Sequence, residues 1–156
     1  MTARSLHRLS RETLQPCRNG TGMKPRLKSS AAARELIKAH EPFVARATRR
    51  GRRWVVGYGH TASAREGVTL KPEDAELLLL YDVLQAERAI DDAVGEGVSG
   101  TMRDALVSFA CSIGPQAFRS SDVALHARNA RHRQAAAAIE TWVRAEEDGR
   151  LVVQSA

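Results

Sequence analysis

Trp54-Val-Val-Gly-Tyr-Gly-His-Thr61 is the stretch whose reading decides the fold. Trp54, Val55 and Val56 have the aromatic and β-branched character of a short strand. Gly57-Tyr58-Gly59 then turns the chain, because glycine reaches backbone conformations that side chains disfavour. His60 follows, and its ring nitrogens suit it to hold the hairpin by hydrogen bonds. Outside this β signal the chain has helical periodicity. A small β-hairpin near residues 54–70 within a helical chain predicts an α+β fold, mostly α.

Upstream, Ser30 is placed to cap a helix from Ala31 to about His40, with Leu36 and Ile37 on its inner face. Downstream, Pro72 suits the first turn of a long helix running to about Val94. Its Leu77, Leu80, Tyr81 and Leu84 recur at i, i+3, i+4 and i+7, the stripe expected to face the core. Gly95, Gly97 and Gly100 break that helix, and Thr101 with Asp104 resembles a capping box for the next. There Leu106, Phe109, Ala110 and Ile113 form a second stripe, which Gly114-Pro115 ends. A short helix near 121–129 and another from about His132 to Glu147, stopped by Gly149, complete the pattern.

The 156 residues fit one domain, and the 43% hydrophobic and 27% charged composition is that of a globular chain. No apolar run approaches the ~20 residues that span a bilayer. Two cysteines, Cys17 and Cys111, exclude a disulfide scaffold or a four-cysteine metal site. Cys111 falls on an apolar stripe and reads as a buried thiol. The five histidines have no ligand-like spacing with acids or cysteines, so neither a metal nor a cofactor is expected. Ser, His and Asp occur widely, but no nucleophile motif such as G-x-S-x-G is present.

The net charge of +6 is uneven: residues 1–53 carry +11 and residues 54–156 carry −5. Residues 1–28 read as a disordered basic extension, with Met23-Lys-Pro-Arg26 resembling a second start, and residues 29–156 as the domain. With no apolar leader, a cytoplasmic location is expected unless an export pore or a further anchoring region carries the domain to the cell wall. The basic character peaks at Arg46, Arg49, Arg50, Arg52 and Arg53, expected as a loop. That cluster attracts anionic partners: peptidoglycan stem-peptide carboxylates, an acidic protein segment, anionic lipid or nucleic acid. Nucleic acid is the weakest, because no aromatic stacking residues stand among the arginines.

Glu41 is the most informative acid. It lies where the first helix must stop before Pro42, and the helix dipole there disfavours a carboxylate. Beside Phe43 and Trp54, such a group is a candidate general acid.

Glu41, Trp54–Thr61, Ala75-Glu-Leu-Leu-Leu-Leu-Tyr-Asp82 and Ala105-Leu-Val-Ser-Phe-Ala-Cys-Ser-Ile-Gly114 form an ordered series. Together they resemble the phage-type lysozymes (muramidases), glycoside hydrolase family 24. Phe118-Arg-Ser-Ser121, Asn129 and Trp142 also fit that family's pattern. The Met-Lys-Pro-Arg opening, Thr61-Ala-Ser-Ala-Arg-Glu-Gly67 and Leu77-Leu-Leu-Leu-Tyr-Asp82 are most similar to muramidase-like domains of alphaproteobacterial polarity scaffolds. The resemblance implies a lysozyme-like fold, a hairpin lobe beside a helical lobe, directed at the β-1,4 MurNAc–GlcNAc backbone of peptidoglycan. It also implies that the last family helix, which carries an R-R-x-x-E motif, is missing and the domain truncated at its C-terminus. Exposed Leu151, Val152 and Val153 would then form a partner surface. Glu41 matches the family's general acid, and Gly57, Tyr58, His60, Ser112, Arg49 and Arg50 fall at its substrate-facing positions.

Three departures stand against activity. The second catalytic carboxylate of the family lies about nine residues after the Glu, where this chain has Arg50. The family Thr is Val55, and the Asn of the third motif is Ser112. No acid occurs between Glu41 and Glu66. Arginines beside Glu41 favour its charged form and repel an oxocarbenium-like centre. Cleavage is therefore expected to be very slow or absent, unless Glu66 substitutes. The alternative is a non-catalytic scaffold module in cell polarity, binding peptidoglycan or protein.

Overall fold

The computed structural model describes residues 27–98 and 100–147, without the side chains of 143–147. The basic extension up to residue 26, Gly149 and the Leu151–Val153 triplet lie outside the described residues. In order, the elements are α1 (Ala31–His40), β1 (Val44–Arg50), β2 (Arg53–Gly57), α2 (Pro72–Ala93), α3 (Gly100–Ile113), α4 (Pro115–Arg119), α5 (Asp122–Arg128) and α6 (His132–Glu147). Helices dominate, and among the described residues the one sheet is an antiparallel β1–β2 pair, so the fold is α+β and lysozyme-like.

The hairpin begins earlier than expected. Its strands span 44–57 rather than starting at Trp54, and the cluster at Arg46–Arg53 is two paired strands joined at Gly51-Arg52, not a loop. Arg49 pairs with Trp54 and Arg50 with Arg53. Ala47 and Val55 are buried while Arg46, Arg49 and Arg50 point to water, and a register shift between Val44 and Thr48 interrupts strict alternation along β1. Residues 68–70 extend the lobe, with Ala47 N–H donating to Val68 O and Leu70 N–H to Ala45 O.

In the helical lobe, Ile37, Leu79, Val83, Ile90, Leu106, Val107 and Phe118 share one core. The stripe expected on α2 is displaced. Leu77 is 66% exposed and Tyr81 49%, while Ala75, Leu79, Val83, Ala86 and Ile90 are buried. Five consecutive apolar residues, 77–81, satisfy more than one helical phase, and close approach of α3 and α4 selects the face rich in alanine. For the same reason Ile37 is buried on α1 while Leu36 is largely exposed. Gly114 does not simply end α3; it is the N-cap of α4, with Pro115 in its first turn.

Polar ties fix α1 against α2 and α3. Ser29 donates from N–H and Oγ to the buried Glu87 carboxylate at 2.7 and 2.6 Å. Ser30 donates to both Asp104 oxygens at 2.8 and 2.6 Å, while its Oγ accepts from Ala32 N–H. Asp104 is thus engaged with α1, not with a capping box at Thr101. Leu27 packs on the core and Lys28 Nζ reaches Asp91 at 2.8 Å. Arg103, 1% exposed, donates to Val98 O at 2.6 Å and Asp91 at 2.9 Å, holding the α2–α3 connection.

Candidate functional site

Glu41 is the residue at which α1 stops. Its N–H donates to Ile37 O at 2.7 Å, after which the backbone leaves helical angles at φ −119°, ψ 84°. Pro42 makes that departure obligatory. The hairpin lobe packs directly on this side chain through Gly59. With φ at +82°, Gly59 occupies the left-handed region, and a Cβ there would stand 3.1 Å from Glu41 Cγ. Gly57 seats the other end of the turn on α2, where a Cβ would meet Ala75 Cβ at 3.3 Å. The G-Y-G segment therefore joins the two lobes by close approach at both glycines.

Tyr58, between them, packs its ring on Phe43 with centroids 5.7 Å apart. Lys38 Nζ lies 5.3 Å from the Tyr58 centroid and 2.6 Å from Glu76. The hydrogen bond to Glu76 holds the Lys38 ammonium above its ordinary value, against the opposing effect of burial. His60 is 3% exposed; its N–H donates to Val56 O and its ring contacts Asp82 of α2. Hairpin and helical lobe are thus fastened from both ends of the turn.

Arg50 Nη1 donates to Glu41 Oε2 at 2.8 Å. The two side chains are 50% and 24% exposed, so the pair sits at the rim of the cleft. Arg49 turns away, its Nε donating to Gly51 O at 3.2 Å. Val55, 6% exposed, lies opposite Thr48 and faces the hairpin interior. Ser112 Oγ donates to Ser108 O at 3.2 Å.

A cleft of about 440 Å³ opens between α1, α3 and α6. Its polar wall includes Glu41 and Ser112, and its apolar wall includes Leu36, Phe109, Ile139 and Trp142. Phe109 and Trp142 meet edge to face, centroids 5.9 Å apart. The structure thus brings Glu41 and Ser112 together in one lining. Gly57, Tyr58, His60, Arg49, Arg50 and Val55 are on the hairpin side, outside it. Sequence reading missed Lys38 and Phe43 as fasteners of Tyr58, and no spacing rule links Lys38 to Glu76. The apolar wall was half visible, since Phe109 belongs to the α3 stripe.

The chemistry follows from charge. A glycosidase sets a second carboxylate across from its acid, whereas here the Arg50 guanidinium stands 2.8 Å from Glu41. Glu41 is the one acid among the described residues in the cleft lining. Glu66 stands on the exposed 61–67 segment, and Asp82 is engaged by His60. Burial pushes the Cys111 thiol up to about 12, so it is a neutral packing group. No three His, Cys, Asp or Glu side chains among the described residues are grouped to hold a metal ion, and no described helix is long and apolar enough to cross a membrane.

A helix ending in an acid, a glycine-tight hairpin laid against it and a helical lobe behind define a lysozyme-like domain. The phage lysozyme family model matches residues 38–155, and the chain belongs to that family. It is 28% identical over 116 residues to an endolysin of Acyrthosiphon pisum secondary endosymbiont phage 1, covering 74% of this chain and 80% of that protein. It is 34% identical over 119 residues to an endolysin of Bacillus phage PZA, spanning 72% of this chain but 45% of that protein. Among solved structures, the muramidase domain of SpmX from Asticcacaulis excentricus is similar at 42% identity and TM-score 0.66, covering 75% of this chain and 80% of that one.

Proposed function

We propose that this domain is directed at the glycan backbone of peptidoglycan and holds it without cleaving it at a useful rate. The observation that carries this reading is the 2.8 Å contact between Glu41 and Arg50. It turns the one acid of the cleft into half of an ion pair and sets a cation where a glycosidase needs an anion. Loss of a single preorganised stabiliser costs about 10²–10³ in rate, and a cation in its place costs more. Binding has other requirements. An apolar wall with Phe109 and Trp142, faced by Ser112 and Glu41, is suited to a sugar ring with polar edges. The endolysin and muramidase relatives support the substrate class.

The test is co-sedimentation with purified sacculi, with reducing ends and soluble muropeptides measured on the same samples. Retention without release is expected, with Trp142→Ala weakening retention. Release of muropeptides by the parent protein, abolished in Glu41→Gln, would overturn the non-catalytic reading.

A second reading has its own support. Arg49, Arg52 and Arg53 are exposed on one hairpin and have no carboxylate partner among the described residues. That surface suits an acidic protein segment, as a scaffold role in cell polarity requires. Salt-sensitive binding of a poly-glutamate peptide, lost when Arg49, Arg52 and Arg53 are neutralised together, distinguishes it from glycan binding.

A further inference from the structure

The apolar stripe marked out by the periodicity of α2 lies on the surface of the domain. Leu77, Leu80 and Tyr81 are exposed and Leu84 is half-buried, while Ala75, Leu79, Val83, Ala86 and Ile90 face the core from the other side of the helix. Each residue turns an α-helix by about 100°, so the four surface side chains share one arc of about 100°. Single apolar residues on a surface need no explanation, but four contiguous ones over two turns mark a contact.

The same arc carries a charge at each end. Glu73 stands in the first turn of α2 with Asp74 at its flank, and Arg88 lies one turn beyond Leu84. All three are exposed, and none forms an ion pair with a described residue. The order of side chains is palindromic about the point midway between Leu80 and Tyr81. Leu77 and Leu84 lie equally far on either side of that point, and so do Glu73 and Arg88. A second copy laid antiparallel across it therefore sets leucine against leucine and acid against arginine, each twice. A surface complementary to itself is what a twofold, isologous interface requires. A lipid surface is disfavoured, because helices that lie on membranes carry basic polar faces and the acids of the first turn oppose that contact. An unrelated partner would have no need of opposite charges at equal distances.

We propose that this face of α2 is a homodimer interface, in which two copies pack their α2 helices antiparallel about the Leu80–Tyr81 midpoint. Glu73 of each copy meets Arg88 of the partner subunit, and Leu80 and Tyr81 fill the centre. A lone helix pair is smaller than the ~1,600 Å² of a standard interface, so the dimer is weak and concentration-dependent, and it strengthens wherever copies are held close together. The contact makes no demand on the cleft, whose lining contains none of these residues.

Sedimentation equilibrium of the full chain over a wide range of concentration is expected to show a monomer–dimer equilibrium that saturates at two copies. Leu77→Asp, at a site 66% exposed, should melt as the parent does and raise the dissociation constant about tenfold, because each dimer loses the contact twice. The charges test the orientation. Glu73→Arg and Arg88→Glu, each alone, set like charges together and should weaken association about tenfold at low salt. Combined, the two restore opposite charges and should return the dissociation constant to that of the parent. A monomer at every concentration, assembly beyond two copies, association unchanged in Leu77→Asp or in the single charge variants, or a double variant as weak as the singles would overturn the proposal.

Discussion

Removing Arg50 isolates the contact on which the functional reading turns. In Arg50→Gln, Glu41 keeps its place at the C-terminus of α1 but loses the guanidinium 2.8 Å away. Two effects set the size. The ion pair is half open to solvent, with side chains 50% and 24% exposed, so the attraction of charges about 4 Å apart is near the aqueous value of ~1 kcal/mol rather than the interior one. The dipole of α1 opposes a carboxylate at its C-terminus by about 0.3–1 kcal/mol, and Arg50 offsets this. Arg50→Gln should therefore destabilise the fold by about 1 kcal/mol. Glu41→Gln gives up the same pair but relieves the dipole, so its cost should be smaller, about 0–0.5 kcal/mol.

Urea unfolding of the parent, both single variants and the double variant closes the cycle and yields the coupling directly. A coupling of about 0.5–1 kcal/mol is expected at low salt. It should shrink near ~1 M salt, where the screening length is about 3 Å. Stabilisation by Arg50→Gln, or a coupling indistinguishable from zero at low salt, would refute the idea that the arginine neutralises the acid.

Restoring a carboxylate should restore chemistry. Arg50→Asp with Val55→Thr is expected to release muropeptides about 10²–10³ times faster than the parent, and adding Glu41→Gln should abolish the gain in the same assay. In the core, Phe118→Ala, at a fully buried position, should cost about 3–5 kcal/mol by chemical denaturation. Asp91 gives a pH signature. Burial works against its charged form, but hydrogen bonds from Lys28 and Arg103 prevail and hold its folded pKa below the unfolded 3.8. Its stabilisation is complete above that unfolded value and is lost as pH falls through the folded one. Asp91→Asn should flatten the acid limb of the stability profile, and at neutral pH should cost about 1–3 kcal/mol, because Arg103 loses its charged partner but keeps its bond to Val98 O.

Legibility in the sequence divided along contact range. The Ser30 cap was readable, since its Oγ accepts the N–H of Ala32 only two residues on, whereas Asp104, expected to cap its own helix, is taken by Ser30 across the fold. The phase of α2 was not, because residues 77–81 are apolar in succession and the face chosen depends on which helices approach. Ala75, Ala86 and Ala89, weak signals by hydrophobicity, are fully buried because they permit that approach. The β1 strand was hidden by its arginines, which read as a solvated loop, and only the pairing of residues 48–50 with β2 and the bond from Ala47 N–H to Val68 O reveal it. In the site, Glu41 was marked locally by helix end and proline. Its partner Arg50 was marked only through the nine-residue spacing of the family pattern. Asp82 meets His60 from another element, 22 residues on, and no local rule reaches it.

The positions at which this chain departs from the family pattern are those that the fold does not need. Arg50 and Ser112 are exposed, so their side chains changed without disturbing the core. Val55 is buried in the hairpin, where a valine avoids the roughly 1–3 kcal/mol that an unsatisfied buried hydroxyl costs. What holds Glu41 in position is different in kind: Gly59 against its Cγ, Ile37 beneath the helix end, and Tyr58 clamped by Phe43 and Lys38. All of these also hold the two lobes together. Changes at Arg50 and Ser112 can therefore alter the chemistry of the site without disturbing the core, whereas Glu41 cannot be displaced without unseating the hairpin that packs on it. On the proposed reading the domain keeps its place against a glycan whatever stands at position 50, and the Val55→Thr step of the catalytic rescue should carry a stability cost that Arg50→Asp does not explain.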